Sequence, residues 1–246
     1  MARGVTARFA VDHPVRPGAV RAILDTLVAQ GGAYEPHLMR RSPDGPVRRI
    51  SWSRPAGLLD DVTEAGTQTT FLRVAEGQPH PVLSFHISRS PRSWPSVVRL
   101  MIPEEALAGS QEIERVLGVC KGLYLFLESP WGTVSGGESR GGEVRENSNT
   151  PICWANFIGP ELVTHVGPAR LLTSLAFMVE ILPDGGIMLV THAAPWLADA
   201  PEGRAFRIRL GESVALGEAL ASTGLLRALH EVRTRPAGRR SLRQLP

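Results

Sequence analysis

The chain has 246 residues, 43% of them hydrophobic and 21% charged, with a formal net charge of +3. That length allows one large domain or two small ones, with a core that needs neither disulfides nor metals, and no window approaches the ~18 continuous apolar residues of a membrane span. The 20 prolines and 25 glycines predict short elements and long connections.

The first element is a strand: Val5, Ala7, Phe9 and Val11 share one face of an alternating stretch. A helix follows from about Pro17 to Gln30. Pro17 suits its first turn, Val20, Ile23, Leu24, Leu27 and Val28 recur at helical spacing, and Gly31 and Gly32 stop it. "YEPHLMRR" and "VRRISWSR" flank "SPDGP", a turn signal, and predict a hairpin. "GLLDDVTEAG" predicts a short helix, and "TTFLRVAE", "PVLSFHISR" and "SVVRLMIP" predict three strands. In the middle one, Leu83, Phe85 and Ile87 face one way and Val82, Ser84 and His86 the other. Glu112 to Ser129 carries an apolar helical stripe of Ile113, Val116, Leu117, Cys120, Leu123, Tyr124 and Leu127. "AFMVEILPDGGIMLVTHAAP" predicts a second hairpin, and "ESVALGEALASTGLLRALHEV" a last helical pattern. Helices and hairpins mix without strict alternation, so the expected class is α+β, a largely antiparallel sheet with flanking helices. We expect this unit over residues 1–232, its halves (about 1–105 and 106–232) sharing a loose plan without a fixed-period repeat. Residues 233–246 form a basic tail with Arg233, Arg235, Arg239, Arg240 and Arg243. The other basic residues are dispersed, so no nucleic-acid partner is expected. With no apolar leader segment at the N-terminus, the expected compartment is the cytoplasm and the thiols are reduced.

Two stretches invite a chemical reading. "GTVSGGESRGGE" is rich in glycine, but it lacks the lysine of a P-loop and the strand–helix setting of a dinucleotide fingerprint. Glu138, Glu143 and Glu146 would repel phosphate. The stretch reads as a long exposed loop, and loops of that length bind something or stay disordered. If it binds, the contact candidates are Trp131, Glu138, Arg140, Glu143 and Arg145. Cys153 stands beside Trp154, with His165 and His192 downstream. A nucleophilic thiolate needs a base or an electropositive site; Ile152, Trp154, Phe157 and Ile158 instead surround this cysteine with apolar groups. Cys153 and Cys120 therefore read as structural. A cysteine-dependent hydrolase and a ligand- or peptide-binding regulatory domain stay open as alternatives. The seven histidines form no zinc-ligand spacing and no G-x-S-x-G elbow occurs. We assign no catalytic residue, metal or cofactor.

The segment "TPICWANFIGPELVTHVGPARLLT" resembles the type VI immunity family of bacterial proteins through Trp154, Phe157, Ile158, Gly159, Pro160, Glu161 and Leu162, with Gly167 after them. "FHIS", "SVVRLMIP" and the helix with "GLYLFL" occupy matching places upstream. The long Gly/Glu/Arg insertion and the arginine-rich tail depart from the family pattern. The resemblance implies a non-enzymatic antitoxin that binds a cognate effector of type VI secretion and occludes it. The specific phrase itself has a structural reading: Pro160 opens a helix, Gly159 lets the chain turn into it, and the aromatic residues pack its start.

Overall fold

The earliest strand of the chain lies in the middle of the sheet. The computed structural model describes residues 2–30, 34–41, 45–50, 59, 62–64, 66, 68–72, 81–89, 95–107, 109–140, 143–144 and 152–222. In chain order the strands are β1 (Ala2–Val11), β2 (Leu38–Arg41), β3 (Val47–Arg49), β4 (Gln68–Leu72), β5 (Val82–His86), β6 (Ser96–Pro103), β7 (Trp131–Arg140), β8 (Glu143–Val144), β9 (Ala155–Ile158), β10 (Met178–Ile181) and β11 (Ile187–Val190). They form one sheet in the order β10-β11-β9-β7-β1-β6-β5-β4-β2-β3, with β8 on β7. Every pairing among the described strands is antiparallel, so the expected α+β class with flanking helices is what the chain adopts.

The helices are α1 (Pro17–Gln30), α2 (Ser110–Phe126), α3 (Pro160–Val166), α4 (Pro168–Leu172), α5 (Pro195–Asp199), α6 (Pro201–Ser213) and α7 (Leu216–Ser222), with a 3-10 turn at Glu104–Leu107. Side-chain alternation assigns them to the sheet's two faces. In β11, Met188 and Val190 belong to the core beneath α1 and α2, which also takes Val20, Ile23, Leu24, Val116, Cys120 and Leu123. Ile187 and Leu189 belong to a second core, with Leu162, Val166, Leu171, Leu210 and Leu220 of the C-terminal helices. Strand β11 is therefore buried on both sides, which is why its sequence is a continuous apolar run.

Between β1, β9 and α2 the aromatic rings meet directly. Phe157 lies 5.6 Å from Phe9 and 5.5 Å from Tyr124, ring centre to ring centre; each such pair adds about 0.5–1.5 kcal/mol beyond its buried area. The Tyr124 hydroxyl donates to Asp184 Oδ2 at 2.7 Å, and the Lys121 ammonium lies 3.0 Å from Glu180 Oε1. These contacts hold α2 against the β10–β11 hairpin. That hairpin turns at Pro183-Asp184-Gly185, where Gly185 has φ +85, a left-handed conformation that glycine takes without strain.

Much of the expected pattern is present. Helix α1 spans Pro17–Gln30, β2 pairs with β3, and Leu83, Phe85 and Ile87 are buried while His86 is exposed. Two differences matter. The glycine stretch expected to begin an exposed loop is strand β7 as far as Arg140, paired with β1 from Ala2↔Ser139 to Ala10↔Trp131. Helices α5 and α6 interrupt a region for which the sequence reading named no element. The tail 233–246 lies outside the described residues.

Candidate functional site

The segment that carries the family resemblance sits where β9, α3 and the C-terminal helices converge, and polar groups are concentrated there. Asn156, fully buried, closes a local ring: its Oδ1 accepts the Cys153 N–H at 2.8 Å and its Nδ2 donates to the Cys153 carbonyl at 3.0 Å. The Thr191 hydroxyl donates to the Trp154 carbonyl at 3.1 Å, and Trp154 Nε1 donates to the His192 carbonyl at 2.8 Å. The Asn156 bonds satisfy the backbone groups of Cys153 just before β9 begins, and the Thr191 hydroxyl adds to the ladder bond in which the Thr191 N–H already donates to the Trp154 carbonyl at 2.8 Å. The Cys153 side chain is 1% exposed and Ile152 and Trp154 are buried beside it. Cys120 lies in the core under α2, where burial pushes its thiol up to about 12. Both cysteines are buried thiols. His165 is on the exposed side of α3, its Nδ1 3.1 Å from the Glu161 carbonyl. His192 packs edge-on against Phe206 at 5.2 Å, with Nδ1 2.9 Å from Thr191 Oγ1. Its pKa is lowered by partial burial and then by the nearby Arg207 charge.

Arg207 is the least expected member of this cluster. It lies on α6 with its side chain 3% exposed. Its guanidinium donates to the Ile152 carbonyl at 3.3 Å and to Asp199 Oδ1 at 3.4 Å, while Nε finds no acceptor. Gly136, in β7, runs beside the same carboxylate: a Cβ there would collide with Asp199 Oδ2 and reach the Pro195 carbonyl. Gly132, four residues earlier, leaves the space that the Phe9 ring fills. Gly132 and Gly136 are thus packing devices for an aromatic ring and a carboxylate. The Arg207–Asp199 clamp fixes α5 and α6 to the strand ends.

Gly159 plays a similar part. Its φ of −67 and ψ of 161 are ordinary extended values, so the expectation of a glycine-dependent turn is corrected. What requires glycine is proximity: a Cβ at this position would stand 2.9 Å from the Pro130 carbonyl oxygen and 3.0 Å from its Cα. Pro160 does occupy the first turn of α3, and Leu162, Val163 and Val166 are buried.

The five contact candidates separate. Trp131 is 2% exposed and belongs to the second core, so it begins a buried strand and faces no loop surface. Glu138 and Arg140 lie on the far half of β7, and Glu143 on β8, which doubles back on it through Ser139↔Val144 and Arg140↔Glu143. Arg145 lies outside the described residues. Trp196 and Leu197 on α5, which the sequence does not single out, are each about half exposed although large and apolar. Among the described residues no group of three or more His, Cys, Asp or Glu could hold a metal ion, and no helix is long and apolar enough to cross a membrane.

The architecture places the chain among α+β proteins built on a single antiparallel sheet with helices on its faces. Neither a family model nor a curated protein matches its sequence. A solved structure does match in fold: the Pseudomonas aeruginosa T6SS protein PA0821 superposes with a TM-score of 0.63 at 14% identity, over 87% of this chain and 73% of that one.

Proposed function

We propose that this chain is an immunity protein of a type VI secretion system, acting in the cytoplasm by binding a cognate effector and covering its active surface. The observation that carries the reading is the shared fold with a T6SS protein across 87% of the chain. The immunity-like phrase from Trp154 to Leu162 supports it, because it builds the β9–α3 junction around which the C-terminal half packs. The mode of action is occlusion without chemistry. The burial of Cys153, and the commitment of its backbone groups to Asn156, fit a structural cysteine better than a nucleophile.

Two surfaces are the proposed contacts. One is the β7–β8 end with Glu138, Arg140 and Glu143, and Arg145 beyond it, where charges of both signs steer encounter. The other is the exposed pair Trp196 and Leu197, since half-exposed tryptophan is the residue type that most often anchors an interface. The test is co-expression with the products of the genes flanking this one, among which the reading expects the effector. The effector alone arrests growth, this chain restores it, and the two elute as a stoichiometric complex. Trp196→Ala weakens that complex by at least about tenfold with an unchanged thermal midpoint. Absence of both rescue and complex overturns the reading.

A further inference from the structure

The two edges of the sheet differ in chemistry. At one end β3 is short, exposed and carries Arg48 and Arg49, the charged kind of edge that resists strand addition. At the other end β10 carries a single charge, Glu180, which lies against Lys121 on the face toward α2. Its outward backbone groups follow from the ladder. The Leu182 N–H donates to the Gly186 carbonyl at 2.8 Å, and Leu182 continues the register in which Ile181 faces Ile187. Antiparallel strands bond through alternate residues, so Glu180 and Met178 bond β11. Val179 and Ile181 therefore present their N–H and C=O groups away from the sheet. In and just ahead of this strand in the chain the large apolar residues are exposed: Ile181 by 62% in it, and Phe177 by 64%, Leu175 by 83% and Leu172 by 44% before it.

We propose that this edge is the seam of a homodimer, in which β10 of one copy pairs antiparallel with β10 of a second. The strand is self-complementary in one register. With the twofold axis at Val179, Phe177 faces Ile181 of the second copy and Val179 faces its own counterpart, so apolar side chains stack across the seam on one face. On the other face Glu180 lies opposite Met178 and keeps its contact with Lys121. The neighbouring register, centred on Glu180, sets two carboxylates directly opposite and is disfavoured. At roughly 180 Å² for a fully exposed large side chain, Phe177 and Ile181 on the seam offer about 230 Å² per copy, and the exposed run from Leu172 to Ile181 about 450 Å², so two copies approach the ~1,000 Å² that separates a specific interface from an incidental one when the seam takes in the whole run. This inference concerns a surface apart from the effector contacts proposed above, and does not depend on them.

The experiment is sedimentation velocity of the full chain from roughly 1 to 100 μM, beside two edge variants and a control. Val179→Pro removes an outward N–H and leaves the bonds to β11 intact; Ile181→Lys places charge on the seam. We expect a concentration-dependent dimer whose dissociation constant rises at least about tenfold in both variants. The control Ile208→Lys, on α6 and also exposed, leaves it unchanged. Amide exchange at Val179 and Ile181 slows as concentration rises. If Val179→Pro fails to fold, Ile181→Lys decides alone. A chain that stays monomeric throughout overturns the proposal, whether its edge amides exchange freely, are covered by another segment of the same chain, or become protected only by a different protein. So does a dimer indifferent to both edge variants.

Discussion

Removing Asp199 tests whether the buried arginine is an organising element of the C-terminal half. Asp199→Ala leaves the Arg207 guanidinium 3% exposed with the Ile152 carbonyl as acceptor and Nε already unpaired. Breaking a buried ion pair by deleting one partner costs about 3–5 kcal/mol. Two features place this site at the lower end: the Arg207–Asp199 bond is long at 3.4 Å, and the Asp199 side chain is one-third exposed, so water already shares part of the electrostatic work. We expect about 3 kcal/mol, measured as the loss of unfolding free energy in urea at pH 7. The double variant Asp199→Ala/Arg207→Met removes the stranded charge and keeps most of the buried stem. It should therefore be about 1–2 kcal/mol more stable than Asp199→Ala alone. A loss below about 0.5 kcal/mol in the single variant, or simple addition of losses in the double, would refute the clamp.

Gly159→Ala should cost about 1–3 kcal/mol because its Cβ meets the Pro130 backbone at 2.9–3.2 Å. Gly118→Ala, exposed in mid-helix α2 with nothing within 4 Å, should instead stabilise by roughly 0.5–1 kcal/mol; equal effects in calorimetry would contradict the packing account. Replacing Ser135 to Glu146 by a Gly-Ser linker should lower the thermal midpoint, since it removes the β7 residues paired with Ala2 to Thr6; an unchanged midpoint would show that this half of β7 adds nothing. His192 has a folded pKa below the unfolded value of about 6.5, so the unfolded state binds the proton more readily. Stability is then fully present above that value and falls as pH drops below it toward the folded pKa; His192→Gln should flatten the stability profile between about pH 7.5 and 5.5, and an identical slope would exclude His192 as its source. Cys120 and Cys153 should react with iodoacetamide at pH 8 far more slowly in the native protein than in urea, and fast native labelling of Cys153 would reopen the nucleophile reading.

What the sequence makes legible is whatever depends on near neighbours. Helix α1 declares itself through Pro17, its apolar spacing and the glycines after it, and the β10–β11 hairpin through Asp184-Gly185-Gly186. Strand β7 does not, because its composition answers to residues far away. Gly132 is small on account of Phe9, and Gly136 on account of Asp199; locally both look like loop residues. Gly159 stands out locally as a turn residue, but its constraint comes from Pro130, distant in the chain. Arg207 resembles a solvated helix arginine until the periodicity of α6 is read through it: Gly203, Arg207 and Leu210 share the buried stripe, and a charge within such a stripe is the signal that was available. Trp131 looked like the start of an exposed segment because the strand that buries it had not been recognised.

The central position of β1 has a consequence for synthesis. Ala2–Val11 leaves the ribosome well before its partners, Ser96–Pro103 and Trp131–Arg140. At roughly 5–20 residues per second the second partner follows the first strand by something like 6–26 seconds. For roughly the first 5–18 seconds of that interval, until Ser96–Pro103 has been made, Val5, Ala7, Phe9 and Val11 have neither neighbour, and an apolar strand with both edges open is the kind of segment that pairs with the wrong chain. Closure of the sheet across its oldest strand must also wait for long-range contacts, which slows folding. In the living cell, the yield of this protein should therefore depend on translation speed and chaperone supply up to about residue 140 more than on anything added after it.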